Sequence, residues 1–188
     1  MTYDLNNLTV AELGQLFPII LTDYDPRWVE LYQLEKQRII ATVDSSQILR
    51  IEHIGSTSVP GLFAKPTIDI LIEIQDYTDL DLIKQDLKKI GFEFIPKPEN
   101  PPPHMMFAKG YTQKEISGQK FHIHIRYTGD WDEILFRDYL KSNPETALDY
   151  ADLKRALANK YKNDREKYTE YKTDFIKRIV QLARLKKV

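Results

Sequence analysis

The sequence predicts an α+β fold, with a mixed β-sheet flanked by helices and followed by a C-terminal helical segment. Runs rich in β-branched residues alternate with segments of helical periodicity up to about residue 128. Two of the later runs lie close in sequence and suit antiparallel pairing. From about residue 129 onward the apolar spacing is helical. We expect one domain over residues 1–188, with a core at about 20–128 and a helical part at about 129–188.

The first predicted elements are a helix and two strands. Asp25 and Pro26 form a good helix start, with Asp as the cap and Pro at the first helical position, and helical spacing continues to about Val43. The run Ile48–Ile54 is β-leaning, and Thr67–Ile74 is almost continuously apolar. We expect these two runs to be buried neighbouring strands.

A helix, a strand and a stiff loop come next. Thr78 is expected to cap the helix, and Gly91 stands where a C-terminal cap belongs. The apolar stripe of this helix consists of Leu80, Ile83, Leu87 and Ile90. Phe92–Ile95 is expected to return to strand. Pro96–His104 carries five prolines, so it is expected to be an irregular surface loop.

The last predicted elements are two strands and three helices. Met105–Ala108 and Lys120–Arg126 are the strand candidates, expected to form an antiparallel pair. One helix then extends to about Lys141, and Asn143 with Pro144 opens a second. The third helix has an apolar stripe of Tyr168, Tyr171, Phe175, Ile179 and Leu182.

The composition argues against several classes of protein. The 188 residues include no cysteine, so neither disulfides nor thiolate metal sites are available, and an intracellular compartment is the simplest expectation. The apolar stretch Leu8–Leu21 contains Glu12 and Gln15 and lacks a basic leader, which is untypical of a signal peptide or a membrane span. We therefore expect a soluble, cytoplasmic protein with no membrane partner.

Basic residues are concentrated at the C-terminal end. The net charge is −1, but twelve Lys and Arg residues against four Asp and Glu lie between Lys154 and Val188. Such asymmetry is compatible with binding to nucleic acid. A solvated helix face is the favoured interpretation, because acidic residues are interleaved and aromatic residues recur at helical spacing.

Residues 51–74, IEHIGSTSVPGLFAKPTIDILIEI, contain the main candidate site. A strand that ends in Gly55 and Ser56 presents backbone amides and a hydroxyl to a phosphate, and a helix start in the following segment, which contains Thr57, would favour an anion. Asp69 interrupts an apolar strand, where a carboxylate costs free energy unless it is paired, hydrogen-bonded or bound to a metal. Asp69 is therefore the strongest catalytic and metal-ligating candidate.

Histidines indicate the same region. Three of the four, His53, His122 and His124, fall in predicted strands that we expect to lie beside one another. His122 and His124 point to one face of their strand. Neutral imidazole binds zinc, manganese or iron, so these two side chains next to Asp69 can supply a set of metal ligands. Histidines that only make structural hydrogen bonds are the alternative interpretation.

Two basic residues are candidates for phosphate binding. Lys65 precedes the Asp69 strand, so its ammonium can reach phosphate oxygens at the Gly-Ser turn, although an exposed loop lysine explains the pattern equally well. Arg137 can point to a ligand while its neighbour Asp138 faces another direction on the helix. A structural ion pair between the helix and the sheet is an equally good interpretation of Arg137.

Acidic candidates of second rank are less informative. Glu52 lies near the Gly-Ser turn and is kept, together with His53, as a second-tier site residue. Glu73 is expected to be an exposed charge at the end of its strand. It lies roughly 13 Å from Asp69 along an extended chain, too far for one shared ion.

The pattern around Asp69 resembles the polymerase-beta-like nucleotidyltransferase superfamily, which has a hydrophobic residue, Gly-Ser, a short spacer and an Asp on the next strand. In that superfamily a second acid two residues later helps to hold divalent metals that bridge nucleotide phosphates. Leu71 takes that position here. The resemblance also implies that the His122 strand stands where a third acid would lie, which favours a softer metal than magnesium or an anionic substrate bound by imidazolium.

A closer resemblance is to the GrpB-like family and covers nearly the whole chain. It is carried by YDPRW at 24–28, EHIGSTSVPGLFAKPTIDI at 52–70, HIH at 122–124 and FRDYLKSNPETALDYADLK at 136–154. The resemblance implies a variant nucleotidyltransferase fold, and related domains occur fused to dephospho-CoA kinase. It does not identify a reaction.

The function expected from this resemblance is nucleotide or phosphometabolite binding, with metal-dependent nucleotidyl or phosphoryl transfer as the enzymatic form. The metal would be Mg, Mn or Zn. Two alternatives remain open: a binding module without catalysis, and a nucleic-acid adaptor that uses the basic C-terminal helices.

Overall fold

The computed structural model describes residues 9–16, 18–111 and 118–186. Its helices are α1 (Val10–Leu16), α2 (Arg27–Thr42), α3 (Leu80–Lys89), α4 (Asp132–Ser142), α5 (Pro144–Lys160) and α6 (Arg165–Lys186). Its strands are β1 (Ile48–Ile54), β2 (Thr67–Ile74), β3 (Glu93–Ile95), β4 (Met105–Lys109) and β5 (Lys120–Tyr127). Part of the polar segment between β4 and β5, residues 112–117, lies outside the described residues.

The predicted α+β fold with a mixed, helix-flanked sheet is confirmed. The five strands form one sheet in the order β1-β2-β5-β4-β3. β2 and β5 run parallel, and the other neighbours run antiparallel. The expected pairing of β1 with β2 and the antiparallel pairing of β4 with β5 are therefore confirmed. The Gly91 position also agrees, since α3 ends just before it.

The two faces of the sheet differ in composition. Directly paired residues of neighbouring strands place their side chains on the same face. One face is formed by apolar side chains, including Ile51, Ile68, Ile70, Ile72, Phe107, Ile123 and Ile125. We call the other the polar face; its side chains include Arg50, Glu52, Asp69, Glu73, His122, His124 and Arg126. Alternation along each strand thus places Asp69, His122 and His124 on the face opposite these core residues.

Two local features differ from the expectations. Asp79, not Thr78, caps α3, because its carboxylate accepts from the backbone amides of Asp81 and Leu82. The Thr78 hydroxyl instead donates to Gln47 Oε1 at 2.9 Å. Helix α1 was not expected from the sequence.

The apolar stripe of α6 is shifted from the expected one. Tyr168 and Ile179 are buried, but Tyr171 and Leu182 are 53% and 41% exposed. Val180 takes a buried place instead. The helix therefore packs along a face rotated from the one that simple spacing indicates.

Contacts divide the chain into two compact units. The sheet unit comprises Asp25–Ser58 and the described residues of Thr67–Asp130. The helical unit comprises Val59–Pro66 and the described residues of Met1–Tyr24 and Trp131–Val188. Its buried core includes Val59, Leu62, Leu135, Leu140, Tyr150, Ile179 and Val180. The expected single domain stays a prediction. Among the described helices, none has the length and apolar content needed to cross a membrane.

Candidate functional site

Asp69, His122 and His124 come together on the polar face of the sheet unit. The parallel register of β2 and β5 pairs Asp69 with His122, and His124 follows two residues later on the same face. Asp69 Oδ1 lies 3.2 Å from His122 Nδ1 and 3.6 Å from His124 Nε2. The expected closeness of these three side chains is therefore present in the structure.

The three side chains form a group that could hold one metal ion. One ligand atom from each of Asp69, His122 and His124 can be chosen so that all three lie within 4.8 Å of one another. With bonds of about 2.0–2.1 Å, two ligands of a tetrahedral zinc ion lie about 3.4 Å apart. The side chains are 27%, 16% and 21% exposed, so the cluster remains accessible from outside. The distances from Asp69 Oδ1 to the two imidazole nitrogens, 3.2 and 3.6 Å, are close to the spacing of about 3.4 Å around a zinc ion.

The cluster also keeps the Asp69 carboxylate ionised. Burial raises the pKa of Asp69, but hydrogen bonds and charge from His122 and His124 outweigh burial and hold this pKa well below its ordinary value. An ionised carboxylate is the form that binds a metal. Without an ion, the same contacts form a stable hydrogen-bonded group, which is the competing interpretation of the geometry.

Tyr111 joins the cluster through His122, a contact that no pattern in the sequence indicates. Tyr111 Oη lies 2.7 Å from His122 Nε2, and the two rings are stacked with their centroids 5.7 Å apart. In a neutral His122 with its proton on Nδ1, Tyr111 donates to Nε2. When Nδ1 binds a metal, Nε2–H donates to the tyrosine oxygen instead, a common way of orienting a ligating histidine.

Gly55 lies directly against Asp69. Gly55 has φ +70°, and a Cβ at this position would lie 2.5 Å from Asp69 Oδ2. A side chain here would therefore be strained and would displace the carboxylate. The requirement for glycine in the Gly-Ser turn is explained by this close approach as well as by its backbone conformation.

The segment after Gly55 differs from the expected helix start. Only a three-residue 3₁₀ helix follows, Ser56–Ser58. Thr57 is buried, and its hydroxyl donates to the Thr67 carbonyl and lies 3.0 Å from His53 Nε2. These contacts support a structural role for Thr57. Phosphate binding by Gly55, Ser56 and Thr57 stays a prediction.

His53 does not join the other two histidines. It lies on β1, which β2 separates from β5, and pairs with Ile70 on the apolar face. Its ring stacks on Tyr32 with centroids 4.8 Å apart. The expectation that the strands of the three histidines lie beside one another is therefore wrong for the strand of His53, and the register of β1 also points His53 to the opposite face.

The acidic residues of the polar face have different surroundings. Glu73 is buried and forms a two-pronged ion pair with Arg50, at 2.6 and 3.0 Å, so the expectation of an exposed charge is wrong. Glu52 pairs with Leu71 on the same face as Asp69. Its candidacy as a second acid remains a prediction.

Lys65 and Arg137 belong to the helical unit. Lys65 Nζ lies 5.6 Å from the centre of the Tyr168 ring. Arg137 Nε donates to Asp138 Oδ1 at 2.7 Å, so the expected divergence of these adjacent side chains is wrong. The long arginine side chain bends back to its neighbour. Phosphate binding by Lys65 and Arg137 stays a prediction.

The chain is similar to GrpB and UPF0157 proteins in both sequence and structure. The family model described as GrpB protein matches residues 18–182. The crystal structure of conserved protein GrpB from Enterococcus faecalis is similar with a TM-score of 0.75 and 35% identity, over 87% of this chain and 96% of that chain. UPF0157 protein BH1888 from Halalkalibacterium halodurans is 35% identical over 182 residues, covering 96% of this chain and 90% of that protein.

A weaker similarity is to part of a longer protein. Dephospho-CoA kinase from Mycolicibacterium paratuberculosis is 27% identical over 192 residues, covering 89% of this chain but 46% of the kinase. The similarity therefore concerns about half of that kinase.

Proposed function

The chain belongs to the GrpB family, and we propose that it binds one divalent metal ion through Asp69, His122 and His124. The ion held by these residues would supply the contact to a phosphate group of a nucleotide or a phosphorylated metabolite. The observation that carries this proposal is the convergence of one carboxylate and two imidazoles within 4.8 Å on an accessible part of the polar face.

The ligand set favours a softer ion than magnesium. Imidazole suits zinc, manganese and iron, whereas magnesium prefers oxygen ligands. Three protein ligands leave coordination positions open for substrate or water. Tyr111, hydrogen-bonded to His122, would fix the orientation of one ligand. Zinc and manganese are therefore the ions to test first.

A single metal of this kind can polarise a phosphoryl oxygen and orient the phosphate. In nucleotidyl transfer, the acceptor oxygen forms a bond to the α-phosphorus while the bond to the pyrophosphate leaving group breaks. Leu71 stands where a second metal-binding acid occurs in polymerase-like enzymes, so the acceptor would lack activation by a second metal of that type. This substitution favours binding without turnover as the second candidate function.

The substrate class rests on weaker support. The Gly-Ser turn lies directly against Asp69, so an ion held by Asp69 would place its phosphate ligand close to the turn that the sequence predicts for phosphate binding. The similarity to part of dephospho-CoA kinase makes dephospho-CoA a reasonable ligand to include beside nucleoside triphosphates.

Thermal unfolding with ligands tests the proposal. Nucleoside triphosphates, dephospho-CoA and short nucleic acids are each added with magnesium, manganese, zinc or chelator. A ligand at 100 times its dissociation constant should add about 2.7 kcal/mol to the free energy of unfolding, which raises Tm by roughly 5–10 °C at this chain length.

We expect a rise in Tm that requires zinc or manganese. This rise should be lost in Asp69→Asn and should persist in Asp81→Asn. Asp81 is a suitable control because its exposed carboxylate lies on α3 and pairs with Lys84. A ligand shift of equal size in chelator and in Asp69→Asn would contradict the proposal. Salt-sensitive binding of nucleic acid that ignores Asp69→Asn would instead support the adaptor function.

A further inference from the structure

Lys154 is a fully buried lysine in the helical unit. Its side chain lies on α5 and the residue is 2% exposed. Its ammonium donates to the Phe63 carbonyl and lies 4.7 Å from the centre of the Tyr150 ring. Lysine is seldom buried to this extent, so its surroundings are informative.

The charges of three more cations, Arg155, Lys172 and Lys65, act on Lys154. The Arg155 guanidinium lies 4.7 Å from the centre of the Phe63 ring, and Phe63 also supplies the carbonyl that Lys154 contacts. Lys172 and Lys65 lie 4.4 and 5.6 Å from the centre of the Tyr168 ring. We call Lys65, Lys154, Arg155 and Lys172 the cationic cluster.

The cluster ranges from buried to accessible. Lys154 is enclosed, Lys65 and Lys172 are half-buried, and the Arg155 side chain is 51% exposed. Arg155 also pairs with Asp152 at 2.7 Å. A ligand could therefore reach the outer cations while the innermost one remains shielded from water.

The proximity of these charges has an energetic consequence. Burial, together with the charges of Lys172, Arg155 and Lys65, lowers the pKa of Lys154 to about 7. The protonated ammonium is therefore costly in this environment. A bound anion would offset both the mutual repulsion and the loss of solvation.

We propose that the cationic cluster of the helical unit binds a phosphate group of a small molecule. A phosphate carries close to two negative charges and several acceptor oxygens, which suits lysine and arginine donors converging from different elements. The four cations lie near three aromatic residues, Tyr150 on α5, Tyr168 on α6 and Phe63 in the segment Val59–Pro66, an arrangement that favours a compact anion over an extended backbone.

The proposed anion site is independent of the proposed metal site. All four cations belong to the helical unit, whereas Asp69, His122 and His124 belong to the sheet unit. Either proposal can fail while the other holds, and chelator separates them experimentally. Lys65, expected from the sequence to serve phosphate binding, enters this second site through its contact with Tyr168.

Pyrophosphate binding tests the proposal. Isothermal titration calorimetry is carried out on the full chain in chelator at constant ionic strength, for wild type, Lys172→Gln, Lys154→Met and Lys177→Gln. Lys177 is the matched control, because it is an exposed lysine on the same helix as Lys172. Lys172→Gln keeps the test valid even if Lys154→Met disturbs folding.

We expect wild type to bind pyrophosphate and Lys172→Gln to bind it about tenfold or more weakly, the loss typical of one charged hydrogen bond. Lys177→Gln should change the affinity by less than about twofold. Failure of the wild type to bind would overturn the proposal, as would equal losses in Lys172→Gln and Lys177→Gln. Tighter binding of a single-stranded oligonucleotide, weakened by all basic substitutions alike, would assign the cluster to nucleic acid instead.

Discussion

Asp69 and Lys154 are both ionisable side chains with a lowered pKa, but the groups around them differ. Asp69 faces two imidazoles, and the pKa of its carboxyl is lowered, so its charged form is favoured. Lys154 is surrounded by cations, and its pKa is lowered to about 7, so its charged form is disfavoured. The sheet unit therefore stabilises the charge that a metal would bind. The helical unit holds a charge that an anion would stabilise.

The largest expected effect concerns the backbone that supports Asp69. Gly55→Ala introduces a Cβ 2.5 Å from Asp69 Oδ2 at a residue with φ +70°. Backbone strain and the clash together should lower the free energy of unfolding by about 2–5 kcal/mol. Urea unfolding measures the loss.

Gly61→Ala is a matched control for Gly55→Ala. Gly61 has φ +75°, but a Cβ there meets nothing within 4 Å. Gly61→Ala should therefore suffer backbone strain without a clash, and its free energy of unfolding should fall by about 1–3 kcal/mol. Equal losses in the two variants would mean that the contact of Gly55 with Asp69 does not matter for stability.

The second prediction concerns the pH dependence of the free energy of unfolding that the buried Lys154 causes. The pKa of Lys154 is about 7 in the folded protein against an ordinary value of 10.5. Below pH 7 both folded and unfolded states carry the proton and the wild type bears the full cost of the buried charge. As pH rises above 7, the folded state releases the proton before the unfolded state does, so the wild type gains stability.

Lys154→Met removes this dependence. Relative to the variant, the wild type should gain about 2–3 kcal/mol of unfolding free energy between pH 6 and pH 9. Urea unfolding of both proteins at the two pH values gives the change. A constant difference between wild type and variant would show that Lys154 keeps an ordinary pKa, which would remove the contrast with Asp69.

The smallest expected effect concerns Tyr111. Tyr111→Phe keeps the stacked ring but removes the hydroxyl that lies 2.7 Å from His122 Nε2. Zinc affinity should fall about tenfold, as for other partners that orient a ligating histidine. Competition with a chromophoric chelator measures it. Tyr77→Phe, at an exposed tyrosine on the same unit, should leave the affinity unchanged.

The strands could be predicted more accurately than the contacts between them. Ile48–Ile54 and Thr67–Ile74 have the predicted bounds, because β-branched runs determine where a strand lies. The face to which His53 points depends on the register of β1 against β2, and a shift of one residue would reverse it. Sequence spacing alone does not specify that register.

Only some residues of the candidate sites could be predicted from the sequence. Asp69 stood out because a carboxylate in an apolar strand needs a partner. No sequence pattern marks Tyr111 as a site residue, because its contact with His122 depends on the path of the chain after β4. Lys154 was one of many lysines in helical segments, and its carbonyl partner, Phe63, is 91 residues away. Long-range contacts of this kind have no local pattern.

Anomalous X-ray diffraction from crystals soaked in zinc or manganese would locate an ion bound by Asp69, His122 and His124. We expect a peak within about 2.1 Å of the Asp69 carboxylate and of one nitrogen each of His122 and His124, and no such peak in Asp69→Asn. A wild-type crystal without a peak at these residues, or a peak that persists unchanged in Asp69→Asn, would show that these residues do not form a metal site. The cluster would then be a hydrogen-bonded structural group.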